Sequence, residues 1–435
     1  VGLRNATGDY WGFIDCDDWI EPDMYEILYN AIMENDADIA CCGYAREHGD
    51  HRDEVACARK SVIAGSEEIL IQYFRQDIES GIGSGNWNKL FKRSVISDIR
   101  YDKTYSNGED VDFQCRVFEN CEKIVCIPDI LYHYMDTEGS ASHGGFNPDM
   151  MQIVGISGRL VEVIHDRYPG AIEEAYAKTE TPVVSNNSAH RWTPDVPMII
   201  PEINPQHSDI IASQRKRLGT SRGFIAVKPN CSIQSYAPAL AAWREYEPYE
   251  AIVTTYQAIS GAGKNFKTWP EMVGNVIPFI SGEEEKSEKE PLKIFGHIEG
   301  GEIVAAKEPV ISAQCIRIPV LYGHTAAAFV KFRKAPESKE ALIAKLNGFK
   351  GIPQEAKLPT APEQFIKYFE EDNRPQVALD VNYGNGMGVT IGRLRPDNIY
   401  DWKFVGLSHN TLRGAAGGAV ECAELLVKQG YIEAK

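Results

Sequence analysis

The 435-residue sequence holds no apolar run of about 18 residues, the length a membrane-spanning helix needs. It also has no charged-apolar-small segment of the kind that directs secretion, so the expected compartment is the cytoplasm. Basic charge is in deficit: 45 Lys and Arg face 62 Asp and Glu, a net charge of −17 with no basic stripe. That balance excludes a binder of nucleic-acid backbones, which needs clustered positive charge. No Gly/Ser-rich linker divides the chain. Ten cysteines are scattered over the whole length rather than spaced as a disulfide framework, which points to a reducing environment. The sequence opens at Val1, without methionine, and reaches the buried-strand pattern Tyr10-Trp11-Gly12-Phe13-Ile14 almost at once. A domain rarely starts one short loop before a central strand, so this end reads as truncated.

What is present is an ordinary globular composition, 43% hydrophobic and 25% charged, long enough for two or three domains with separate cores. The first segment, 1–179, runs from that strand into Asp15-Cys16-Asp17-Asp18-Trp19. Three carboxylates at a strand end repel one another unless a hard cation with oxygen ligands neutralises them, or unless they cap the helix expected over 22–34. Spacing alone leaves both readings open. Asp110, in Gly108-Glu109-Asp110, starts an amphipathic helix, where a carboxylate is held rigidly enough to take a proton from a hydroxyl, or acts as a cap.

These motifs, with Arg4-Asn5, Gly8-Asp9-Tyr10, Asn88-Lys89-Leu90-Phe91, Tyr132-His133-Tyr134 and Ser140-Ala141-Ser142, resemble the metal-dependent glycosyltransferases of family 2. The resemblance implies a partial α/β glycosyltransferase domain with Mg or Mn held by Asp15 and Asp17. It also implies Asp110 as the base and a UDP-sugar as donor. The family's first βαβ unit, which binds the nucleotide, would precede Val1.

Near Glu180 the style changes to buried β runs and Pro-rich turns, so a second segment is expected over 180–435. Its focus is Lys228-Pro229-Asn230-Cys231-Ser232-Ile233-Gln234, a turn after the strand Phe224 to Val227 and before an apolar run, Tyr236 to Trp243, that reads as a helix. A cysteine at a helix N-terminus meets unpaired N–H groups and the positive dipole end, which favour thiolate. The competing reading is a small buried apolar residue. Strands are expected over 196–204, 251–257 and 313–320, and Val377 to Asp380 reads as the strand before a glycine-rich hairpin at 384–388. Ser260-Gly261-Ala262-Gly263-Lys264 lacks the spacing of a phosphate loop. The acidic run Glu283 to Glu290 reads as a helix, with solvated i,i+4 pairs as its plain explanation.

The ordered set Ser185-Asn186, Pro229-Asn230-Cys231-Ser232, Tyr256-Gln257 to Gly263, Gly282 to Lys286, Arg317 to Thr325 and His409 to Gly417 resembles the aspartate-semialdehyde dehydrogenases of archaeal and fungal type. The fold class implied is α/β, with an α+β catalytic and dimerisation domain built on a mixed sheet. A C-terminal helix would return to a partial Rossmann unit, and the family's Gly-rich front would be missing. The resemblance implies Cys231 as nucleophile, His324 as acid/base taking the thiol proton, and Gln257 orienting the acyl group. It places Arg317, Glu283, Lys286 and Asn230 on the substrate and phosphate, and Ser185, Gly261, Gly263, Asn410 and Gly414 on NADP. It further implies a homo-oligomer using aspartate semialdehyde and phosphate in lysine, threonine and methionine biosynthesis. The alternatives are a glycosyltransferase with the later part as passenger, a malonyl-CoA reductase sharing the Cys/His pair, and an inactive chimeric join.

Overall fold

The computed structural model describes residues 2–49, 51–75, 81–83, 85–105, 107–135 and 152–433. Ser140, Ala141 and Ser142 lie outside them. The chain divides into two compact units, Val1–Ile172 and Glu173–Lys435.

In the first unit, strands β1 (Tyr10–Gly12), β2 (Trp19–Ile20), β3 (Ile39–His48), β4 (Lys89–Lys92) and β5 (Lys123–Met135) form one sheet in the order β1-β4-β3-β5-β2. The centre is the parallel pair β3 and β5, in register from Ile39 opposite Ile124. Both strands open with nearly continuous buried residues, as expected where a sheet is covered on two faces. One face packs helix α1 (Met24–Asn35) through Met24, Leu28 and Ile32, an i,i+4,i+8 stripe. The other packs helix α2 (Glu109–Phe118) through Phe113, Val117 and Phe118.

The second unit is built on a six-stranded mixed sheet. Its strands are β8 (Pro248–Gln257), β9 (Val310–Arg317), β10 (His324–Phe332), β11 (Ile366–Phe369), β12 (Val389–Pro396) and β13 (Trp402–Ser408). They run in the order β9-β8-β10-β13-β12-β11. Beside it stands a parallel pair, β6 (Pro182–Ser185) and β7 (Phe224–Val227), with helix α3 (Ile211–Leu218) between them in the chain. Helix α4 (Ala237–Ala242) is buried against the sheet with Trp243. Helix α5 (Glu283–Ile294) lies along β9, and helix α6 (Ala416–Lys428) packs Cys422, Leu425 and Leu426 against Phe224 and Ala226 of β7.

Four local expectations are corrected. Residues 196–204 form turns with a single bridge, Met198 to Val227, because Pro197 and Pro201 have no N–H to extend a ladder. Val377–Asp380 is a short helix: Arg374 holds the Asp380 carboxylate, which accepts the Gln376 N–H at 2.6 Å and folds the segment back. The glycine run therefore does not join two strands; it makes a 3₁₀ turn over Tyr383–Gly386, with Gly384 and Asn385 at φ of 58° and 57°. Cys231 opens a five-residue 3₁₀ turn, Cys231–Ser235, and the α-helix starts only at Ala237.

Candidate active site

The strands converge on one end of the six-stranded sheet. Gln257 ends β8 directly opposite Arg317, which ends β9. Antiparallel β10 begins there with His324, opposite Ser408 at the end of β13. The loop leaving β7 brings Cys231 to the same place, with its Sγ 3.2 Å from His324 Nε2. Thus Cys231, Gln257, Arg317 and His324, scattered over nearly a hundred residues of sequence, share one strand-end cluster. Of these, only Cys231 retains appreciable exposure.

The loop is held by α5. Glu283, Ser287 and Glu290 recur at i, i+4 and i+7 and face it as a polar stripe. Glu283 accepts both hydrogen bonds of the Asn230 amide, at 2.8 and 3.0 Å. Ser287 meets Ser232 at 3.3 Å. Glu290 accepts the Asn230 backbone N–H at 2.6 Å and pairs with Arg191 at 2.8 Å. Asn230 also caps the 3₁₀ turn by accepting the Ser232 N–H at 2.9 Å. Lys286 reaches back to Glu283 at 3.0 Å. Sequence reasoning missed Ser287, Glu290 and Arg191; the signal was the i, i+4, i+7 spacing inside the acidic run.

Burial governs the electrostatics. It pushes the Cys231 thiol up to about 11, with Glu283 adding to the rise while Lys228, Arg191 and Arg317 oppose it. The thiolate expected from a helix N-terminus is therefore not the resting form, since the five-residue turn supplies no long helix dipole. Burial drives His324 down to about 3, aided by the Arg317 charge, so its imidazole is neutral. Its Nδ1 accepts the Ala258 N–H at 3.0 Å, which puts the ring proton on Nε2, the nitrogen facing sulfur. Arg317 donates to the Ala258 carbonyl at 2.6 Å, so a single peptide unit orients both side chains. Gln257 is held by Thr255 at 3.2 Å.

The residues expected at the cofactor divide into two kinds. Gly261 and Gly414 are bare backbone beside the cluster. A Cβ on Gly261 would come within 3.0 Å of Arg317 Nη1 and 3.3 Å of the His324 ring; one on Gly414 would lie 2.7 Å from Cys231 Cβ. At both positions the missing side chain lets backbone pack against the cluster. Gly263 adopts a φ of 68° with open space around it. The Asn410 amide is spent within the protein, donating to Ser260 and accepting the Gly323 N–H, both at 2.8 Å, and so fixes the turn ahead of His324. The Ser185 hydroxyl donates to Glu173 at 3.1 Å and accepts the Asn187 N–H at 3.0 Å.

A family model for the semialdehyde dehydrogenase dimerisation domain matches residues 238–413, and one for glycosyl transferase family 2 matches residues 1–98. The aspartate-semialdehyde dehydrogenase of Archaeoglobus fulgidus is 41% identical over 261 residues, 60% of this chain and 74% of that protein. The chain belongs to the aspartate-semialdehyde dehydrogenase family. The malonyl-CoA reductase (NADP) of Metallosphaera sedula is 39% identical over 281 residues, 63% of this chain and 78% of that protein. The crystal structure of the Candida albicans aspartate-semialdehyde dehydrogenase with NADP superposes with a TM-score of 0.55 at 34% identity, over 61% of this chain and 76% of that one.

The first unit holds a separate acidic cluster. Asp15 and Asp17 are exposed, while Asp18 accepts the Tyr132 hydroxyl at 2.6 Å and the Met135 N–H at 2.8 Å. Asp110 is half-buried and accepts from Asn86 at 2.8 Å. Burial raises its carboxyl; burial followed by the Asp110, Asp18, Asp17 and Glu109 charges raises that of Asp15. No group of three or more His, Cys, Asp or Glu side chains among the described residues is arranged to hold a metal ion. Hard oxygen donors do suit Mg or Mn, provided a diphosphate completes the shell. No helix among them is long and apolar enough to cross a membrane.

Proposed function

We propose that the second unit catalyses the NADP-dependent interconversion of aspartate semialdehyde and aspartyl phosphate through a thioester on Cys231. The observation that carries this reading is the 3.2 Å contact between Cys231 Sγ and His324 Nε2 at the strand ends that also present Gln257 and Arg317. The thiol proton leaves to solvent and sulfur attacks the aldehyde carbon. His324, rather than taking that proton, donates its Nε2 N–H as a hydrogen bond to the oxyanion, which reforms a carbonyl as hydride leaves. NADP, when bound, takes up the hydride in this direction and supplies it in the other. Gly261 and Gly414 bring bare backbone against the cluster beside which its planar end would lie, while Asn410 holds the turn that carries His324. A phosphate oxygen then attacks the thioester carbon, and the bond to sulfur breaks as thiolate leaves. Arg317 offers a fork for the substrate carboxylate and Glu283 a carboxylate for its ammonium, with Lys286 beside it for phosphate.

Phosphate-dependent formation of NADPH with aspartate semialdehyde tests this. Cys231→Ala should abolish it, and a rate that Cys231→Ala leaves unchanged would falsify the assignment. Comparison with malonyl-CoA, which has no ammonium for Glu283, separates the two relatives' chemistries: Glu283→Gln should depress both turnovers by loosening the Asn230 turn, and that of the amino acid substrate further.

The acidic cluster of the first unit favours a second, independent reading for that unit alone. Asp15 and Asp17 would hold Mg or Mn on the diphosphate of a UDP-sugar, and Asp110, its carboxyl raised by burial, would take the acceptor's proton. Metal-dependent UDP-sugar hydrolysis lost in Asp17→Asn supports it; hydrolysis indifferent to that change removes it.

A further inference from the structure

Lys228 lies three residues before the nucleophile and is 2% exposed. Its Nζ has no hydrogen-bond partner. Its stem passes over Gly418 on the first turn of α6, where a Cβ would stand 2.3 Å from Lys228 Cε, just as Gly414 four residues earlier makes room for Cys231. Gly414, two residues before α6, and Gly418, inside it, therefore let the cysteine and the lysine both pack against the segment that opens this helix. Leaving an ammonium buried and unpaired is costly unless a negative group arrives to meet it. The charged or titratable groups facing it are Cys231 from its own loop, Arg413 from the turn before α6, Cys422 from within α6, and Arg191. Arg413 is already saturated by Glu202, Glu421 and Gln234. Arg191 is paired with Glu290. Cys231 is thus the reactive member of the group that gains a negative charge in the reaction.

We propose that Lys228 is the positioning cation of Cys231, stabilising its thiolate through space while His324 supplies the hydrogen-bond donor. The inference rests on Cys231 being the nucleophile, but its test does not depend on turnover of any substrate. The tautomer of His324 makes such a cation necessary: with Nε2 already protonated and Nδ1 accepting from Ala258, the ring has no lone pair free for the thiol proton. That proton leaves to solvent, and the charge left on sulfur is met by the ammonium. Burial lowers Lys228 to about 7, with Arg413 contributing and Cys231 opposing, so the ammonium is lost readily on the alkaline side unless thiolate forms beside it.

The experiment is the rate of iodoacetamide alkylation of Cys231 as a function of pH, read on its own peptide by mass spectrometry, in full-length protein. Lys228→Met keeps the stem and removes the charge. It should move the profile up by about one pH unit, a roughly tenfold slower reaction at neutral pH. Lys228→Arg should restore most of the rate. An unchanged profile in Lys228→Met overturns the proposal, and so does a shift that Lys228→Arg fails to reverse, because packing rather than charge would then be its cause. If circular dichroism shows Lys228→Met unfolded, Lys228→Gln takes its place with the same two readings. Absence of semialdehyde turnover would count against the proposed function and leave this result standing.

Discussion

His324 carries its proton on the nitrogen that faces Cys231, and it is wholly buried in the neutral form. Both facts follow from position: the first residue of a central strand cannot be hydrated, and the Ala258 N–H selects the tautomer. The sign of the resulting pH dependence is fixed. In the unfolded chain the imidazole titrates near about 6.5, and in the folded protein near about 3. Below the first value the unfolded state binds a proton that the folded state refuses. The stability contributed is therefore complete above about pH 6.5 and is lost as pH falls toward about 3. Melting midpoints measured across that window should fall more steeply for the natural protein than for His324→Asn; parallel curves would show that His324 titrates normally. The residues of this cluster were singled out in the sequence, but the tautomer was not legible, because it is set by the Ala258 backbone N–H, which no side chain announces.

At the scale of elements, the site depends on close approach between α6, the cysteine turn and the sheet. Gly414 is the tightest point: a Cβ there would lie 2.3 Å from the Asn410 carbonyl and 2.7 Å from Cys231 Cβ. Gly414→Ala should cost about 1–3 kcal/mol through overpacking, and it should slow Cys231 alkylation because the sulfur moves with the turn. Gly219→Ala, at the C-cap of α3, faces open space with a φ of 72° and should cost only the backbone strain of about 1 kcal/mol, with unchanged Cys231 reactivity. Thermal melts paired with alkylation rates distinguish the two kinds of loss. Strand β10 was not among the expected strands, whereas local pattern located α5, β8 and β9 because their buried faces repeat at 3.6 or 2. It misread 196–204 and Val377–Asp380 because apolar content there serves turns whose form is set by Pro197, Pro201 and the Arg374–Asp380 pair. The acidic stripe of α5 was legible as a helix, yet its inward face was not, since nothing local says that Glu283 and Glu290 meet Asn230.

At the scale of the whole chain, the cores are separate. Trp11, Phe91, Phe113 and Phe118 share one cluster with other residues of the first unit, whereas Trp243, Phe365 and Phe404 share another within the second. Among the described residues none belongs to both, so each unit can melt as its own cooperative step. Scanning calorimetry of the full chain should then resolve two transitions. A ligand that binds only the native second unit stabilises that unit by about 2.7 kcal/mol at a hundred times its dissociation constant, so NADP with phosphate should raise one transition and leave the other in place. Asp110→Asn, confined to the first unit, should move only the transition that NADP does not. A single transition shifted as a whole by the ligand would show that the two cores unfold together, and the site's stability would then have to be argued for the entire chain rather than for the unit that contains Cys231.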